Sequence, residues 1–143
     1  LTYSILGKTL PEYNFCDTVS IMSLFTFTQV ALGGAVGAIA RYSCTFFFPS
    51  NWQATLTVNV LGCAFAGLLI TVLSKIGTLN HTLHPLLMVG FLGSFTTLSA
   101  FSVDTLWMIK KGQWFHATTY IAATVLLGLF ATLLAAYATN KML

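Results

Sequence analysis

Three groups of uncharged hydrogen-bond donors stand where a lipid-embedded helix would carry leucine or valine. Asn59 lies inside "TLTVNVLG" (55–62), and Thr96, Thr97 and Ser99 lie inside "FLGSFTTLSAF" (91–101). Tyr120, Thr124, Gly128 and Thr132 recur every fourth residue, so they share one helix face. An amide, a phenol and several hydroxyls donate hydrogen bonds without bearing charge. That chemistry suits an anion that must be held and then released. Phe91, Phe95 and Phe101 add ring edges, the positive end of the aromatic quadrupole. Each residue alone has a plainer account, because a membrane threonine usually bonds its own helix and regularly spaced phenylalanines usually fill a core. The combination carries the signal.

Other chemistries lack their residues. The only acids are Glu12, Asp17 and Asp104, so paired carboxylates, an HExxH site or a Ser/His/Asp set cannot be assembled. His81, His84 and His116 fall near loops and read as surface histidines. No Glu, Lys or His lies mid-span, which argues against proton-coupled transport. Arg41 and Asp104 lie near span ends, where side chains snorkel to the interface. Cys16, Cys44 and Cys63 are odd in number and scattered, with neither a disulfide nor a zinc pattern. The net charge of +3 is spread thinly, so nucleic acid is not an expected partner.

The elements that must position these groups follow from composition. Of 143 residues, 57% are hydrophobic and 6% charged, whereas a soluble domain carries about 25% charged residues. The surface must therefore meet a lipid bilayer. A hydrocarbon core about 30 Å thick takes roughly 20 residues of helix, and four such runs occur, at about 24–46, 54–73, 86–109 and 115–138. Short connections make successive helices antiparallel and put both termini on one side. Residues 1–21 read as an N-terminal extension of unknown role, with no signal-peptide pattern; Met22 is a plausible start, and 22–143 forms the transmembrane domain.

Lys8, Lys75 and Lys141 fall on the side of the termini, while Arg41, Lys110 and Lys111 fall on the other. The Lys/Arg bias that sets orientation is thus almost absent, and insertion both ways, with an antiparallel dimer, is open. Four spans pack their own centre but hardly enclose a pathway, so dimerisation is expected. Gly33 and Gly37, with Gly62 and Ala66, form small-xxx-small faces that serve either a dimer seam or packing within the chain.

The motifs "GGAVGAIARY" (33–42), "TLTVNVLG" (55–62), "GFLGSFTTLSAFSVD" (90–104) and "YIAAT" (120–124) together resemble the Fluc (CrcB) fluoride channels over about 22–143. The resemblance implies an all-α membrane fold of four helices with a broken third helix, arranged as an antiparallel dual-topology dimer. It also implies two pathways for passive export of fluoride and one central structural sodium ion. Carried over residue by residue, the backbone carbonyls of Gly93 and Thr96 bind sodium, and Asn59 donates to fluoride. Phe101, Tyr120 and Thr124 line the pathway, with Thr97 and Ser99 in the same stretch, and Arg41 stands at its aqueous mouth. Where the family reads Thr-Thr-Phe-Ser-Thr-Phe, this chain has Leu98 and Ala100, and leucine offers no ring edge. Asp104 stands for the usual glutamate. Some relatives pair two different subunits, so the partner is an identical chain or a related one.

The expected location is the plasma (inner) membrane. Two other readings compete. A small multidrug-type transporter needs a glutamate in its first span, and "FTFTQVALGGAVGAIARY" has none. A non-transporting tetraspan assembly subunit needs none of the polar groups.

Overall fold

The computed structural model describes residues 24–76 and 83–143; the expected extension at 1–21 lies outside them. Helix α1 (Leu24–Cys44) tightens into a 3-10 turn, Thr45–Phe47, and stops at Phe48, whose backbone is extended. Pro49 follows, and the residue before a proline is pushed out of helical space. Helix α2 (Asn51–Ile76) begins where the Gln53 and Ala54 N–H groups donate to the Ser50 carbonyl at 3.1 and 3.4 Å.

The third span consists of three pieces. Segment α3 (Pro85–Leu92) starts on a proline, which suits a first helical turn, and is wound as a π-helix. It runs into the single turn α4 (Gly93–Phe95), and the chain then extends at Thr96 (φ −78°, ψ 155°) and Thr97 (φ −151°, ψ 114°). Helix α5 (Leu98–Lys110) restarts with Thr97 as its cap, the Thr97 Oγ1 accepting from the Ala100 N–H at 3.2 Å. Gly112, at φ +73°, turns the chain after α5, a left-handed position that favours glycine. Helix α6 (Trp114–Met142) has 29 residues, about 44 Å at 1.5 Å per residue.

Four helical stretches, Leu24–Phe47, Asn51–Lys75, Pro85–Lys110 and Trp114–Met142, are long and apolar enough to cross a membrane. They exceed the expected spans by a few residues at several ends. The chain is an all-α, integral, multi-pass membrane protein. Leu32, Val36 and Ile39 on α1, and Leu126, Phe130 and Leu133 on α6, are exposed and face outward. On a soluble protein such patches would drive association, whereas here they meet hydrocarbon.

Packing divides the bundle into two helix pairs. Helix α1 lies along α3 and α4, and α2 lies along α6; α1 hardly touches α2. The third span changes partners at its break, because α5 packs on α6 and α2. The glycine faces belong to these contacts within the chain. A Cβ on Gly33 would overlap the Leu86 carbonyl oxygen, and one on Gly37 would overlap the Phe91 carbonyl oxygen. Likewise Gly67 lets α2 approach the Thr132 backbone of α6. Of the two roles open to these glycines, close packing inside the subunit is the one they fill.

Gly37→Leu forces α1 off the third span, since backbone cannot yield as a side chain would. A stability loss of at least about 2 kcal/mol is expected by denaturation in detergent, whereas Gly112→Ala, with open space around it, should cost about 1–2 kcal/mol, from the left-handed backbone alone.

Candidate functional site

The break is held by one side chain from another helix. In a continuous α-helix the Thr97 N–H would donate to the Gly93 carbonyl, four residues back. It donates instead to Asn59 Oδ1 at 2.8 Å, and Asn59 Nδ2 donates to the Thr97 carbonyl at 3.1 Å. One amide therefore satisfies both backbone polar groups of a residue that has left its helix. Thr96 remains tied behind it, its N–H and Oγ1 both donating to the Leu92 carbonyl, at 3.0 and 2.9 Å. Gly62, one turn beyond Asn59, leaves room for the Thr96 methyl group, which a Cβ there would overlap.

A second diversion lies one turn on. The Ala100 N–H, which would close on the Thr96 carbonyl, donates to Thr97 Oγ1. Gly93 and Thr96 thus lose their helical donors, as the carbonyls of a last helical turn do, which leaves backbone oxygens at the break unclaimed by the helix. Such oxygens are ligands for a hard cation. Among the described residues no group of three His, Cys, Asp or Glu side chains could hold a metal, so a cation here would rest on backbone oxygen.

The expected site residues separate into two places. Asn59, Thr97 and Ser99 meet at the break, with Thr97 Oγ1 and Ser99 Oγ 3.1 Å apart. Thr97 is buried, while Gly93 and Ser99 are exposed on the subunit surface and Leu98 is 76% exposed beside them. Phe101 and Tyr120 meet closer to the Arg41 end, ring centroids 5.2 Å apart, with Trp52 edge-on to Tyr120 at 5.9 Å. Tyr120 is buried, and its hydroxyl lies near Thr55 and Asp104 without closing a hydrogen bond of good geometry to either.

Other polar groups follow their plainer account. Thr124 Oγ1 donates to the Tyr120 carbonyl at 2.8 Å, and Thr132 Oγ1 is shared by the Cys63 and Gly128 carbonyls. Phe91 and Phe95 stack on each other, centroids 5.6 Å apart, with Phe95 in the core.

Two cavities open at the Arg41 end. One, about 640 Å³, is lined by Trp52, Asp104, Lys111, His116 and Tyr120 among others. The other, about 480 Å³, reaches from Arg41 past Thr55 and Asp104 to Thr97. Neither is lined by Asn59 or Thr124. Asp104 lines both and corrects an expectation: it does not snorkel but turns inward, accepting from Thr55 Oγ1 at 2.8 Å. That same hydroxyl lies 3.0 Å from the Asn51 carbonyl, so its hydrogen is shared.

Thr55 carries no mark of its own in the sequence. The available signal was that Asp104 is the only acid within any of the four apolar stretches. His84 also departs from the surface reading: it is half-buried, and burial draws its imidazole below the ordinary value, toward the neutral form. His116 is exposed, as expected.

A short four-helix membrane subunit whose third helix is broken around uncharged donors is the class these features define. Residues 28–136 match the family described as "CrcB-like protein, Camphor Resistance (CrcB)", and the chain belongs to that family. It is 40% identical over 130 residues to the fluoride-specific ion channel FluC of Saccharophagus degradans, covering 88% of this chain and 98% of the relative. It is 41% identical over 112 residues to FluC of Paracoccus denitrificans, covering 76% and 89%. FluC 2 of Listeria monocytogenes is 35% identical over 122 residues, covering 82% and 92%.

A buried hydroxyl without a partner costs about 1–3 kcal/mol. Tyr120→Phe should therefore unfold at the same or higher denaturant concentration than the parent protein. A clear loss of stability would show that the hydroxyl has a partner in the folded subunit.

Proposed function

We propose that the chain is a channel, not an enzyme, that lets fluoride leave the cell passively across the plasma (inner) membrane. The observation that carries this reading is the broken third helix, stitched by Asn59, in a chain whose family relatives bear the name fluoride-specific ion channel. Fluoride is small and strongly hydrated, so a pathway must replace its water with donors while binding it only moderately at each place. Asn59 Nδ2 spends one hydrogen on Thr97 and keeps a second for an anion. Ser99 at the break and the Tyr120 hydroxyl closer to the Arg41 end supply further donors, the Phe101 ring packs on Tyr120, and Arg41 draws anions to the mouth. Thr124 donates to its own helix and serves as wall. Leu98 stands where a ring is expected and contributes an apolar surface.

The working unit is an antiparallel dimer with two pathways. Irregular backbone is tolerated at membrane depth only against protein or water, and Gly93, Leu98, Ser99 and Ser102 present the break to the outside of the subunit. A second copy is the natural cover. The paired Gly93 and Thr96 carbonyls from two subunits would then hold one structural sodium ion at the centre, which would fix the two breaks against each other. Retained Asn59 and Phe101 favour a working pore in this subunit, whether its partner is an identical chain or a related one. No coupling to protons is needed, because hydrogen fluoride that enters from an acidic exterior ionises near neutral pH and is trapped until a channel releases it.

Purified protein in liposomes should release fluoride far faster than chloride, with no proton gradient imposed. Efflux no faster than from empty liposomes would sink the proposal. Asn59→Ala should slow efflux about tenfold or more, the effect of losing one hydrogen bond to a charged group, ~1.5–3 kcal/mol.

A further inference from the structure

We propose that Asn59 is the positioning residue that keeps the third span broken, and that it thereby releases the Gly93 carbonyl as a cation ligand. The inference deepens the channel reading and rests on it only for the cation's identity. Residues 93–97, Gly-Ser-Phe-Thr-Thr, contain no proline. Nothing covalent therefore prevents the Thr97 N–H from closing on Gly93, and threonine lowers helix propensity only modestly. What takes the donor away is the Asn59 Oδ1, 38 residues distant in sequence and 2.8 Å distant in space.

The Nδ2 of the same amide returns to the Thr97 carbonyl. An asparagine amide presents an acceptor and donors as a peptide group does, so Thr97 is paired as it would be by a neighbouring β-strand. Its seat is firm: Val58 next to it is 1% exposed, and Gly62 admits the Thr96 methyl. The two carbonyls are released by different means. The Thr96 oxygen loses its donor to a cap made within the third span by Thr97 Oγ1, whereas the Gly93 oxygen loses its donor, the Thr97 N–H, to Asn59 Oδ1. The clamp uses one Nδ2 hydrogen and leaves the second for an anion.

The test is solid-state NMR of isotopically labelled protein in bilayers, together with thermal melting in sodium and in a sodium-free buffer. In the parent protein the Thr97 carbon shifts should be those of extended backbone, and sodium should raise the melting temperature. In Asn59→Leu the Thr97 shifts should become helical and the sodium-dependent rise should be lost. Extended Thr97 with an undiminished sodium response in that variant overturns the clamp.

If Asn59→Leu does not fold, the parent protein decides. Magnetisation transfer between the Asn59 side-chain amide and the Thr97 carbonyl carbon that persists in saturating fluoride supports the clamp; its disappearance on adding fluoride overturns it. A parent protein whose melting ignores sodium overturns the cation half of the proposal. Failure of the channel reading is seen separately, as absent fluoride efflux, and leaves the Thr97 geometry to be judged by its shifts.

Discussion

Every peptide group at bilayer depth needs a hydrogen-bond partner, because hydrocarbon supplies none. That constraint governs this molecule at one point, the Thr96–Thr97 unit, where the third span leaves helical geometry. Asn59 answers it with both ends of its amide, and Thr97 Oγ1 caps the helix that follows. The break is thus satisfied without water and without charge. Its by-product is a set of last-turn carbonyls, those of Gly93 and Thr96 among them, whose helical donors have been turned elsewhere.

The break also explains the packing. A straight third helix would stay against α1 for its whole length. Instead α3 and α4 lie on α1, and α5 crosses to α2 and α6. Gly33 and Gly37 let the first half sit backbone to backbone against α1, while Gly62 makes room for Thr96 at the crossing. The same shift brings Phe101 against Tyr120 and turns Asp104 toward Thr55, giving two cavities at the Arg41 end.

Much of the fold was legible because the signals are local. Four apolar runs, short connections and scarce charge define spans whatever their packing. The polar candidates were legible as types, since Asn59 and the hydroxyls of 96–99 are conspicuous in apolar surroundings. Their partners were not. Thr124 bonds its own helix as a membrane threonine usually does, but Thr132 also reaches the Cys63 carbonyl of α2, a choice set by which neighbouring groups lie within about 3 Å. Thr55 gave no sign of its own, because its role exists only once α5 brings Asp104 beside it.

The sequence by itself determined a four-span, all-helical membrane subunit with uncharged donors at mid-depth and a family pattern across the second, third and fourth spans. Periodicity and composition carry that information, for they depend on neighbours in the chain. Only the tertiary structure decided which groups those donors serve. It turned Asp104 inward, assigned the glycine faces to contacts within the subunit, and spent most of the Asn59 amide on the backbone of Thr97. Such assignments depend on distances between residues far apart in the chain, and hydrogen bonds that fail beyond a fraction of an ångström cannot be read from spacing along it.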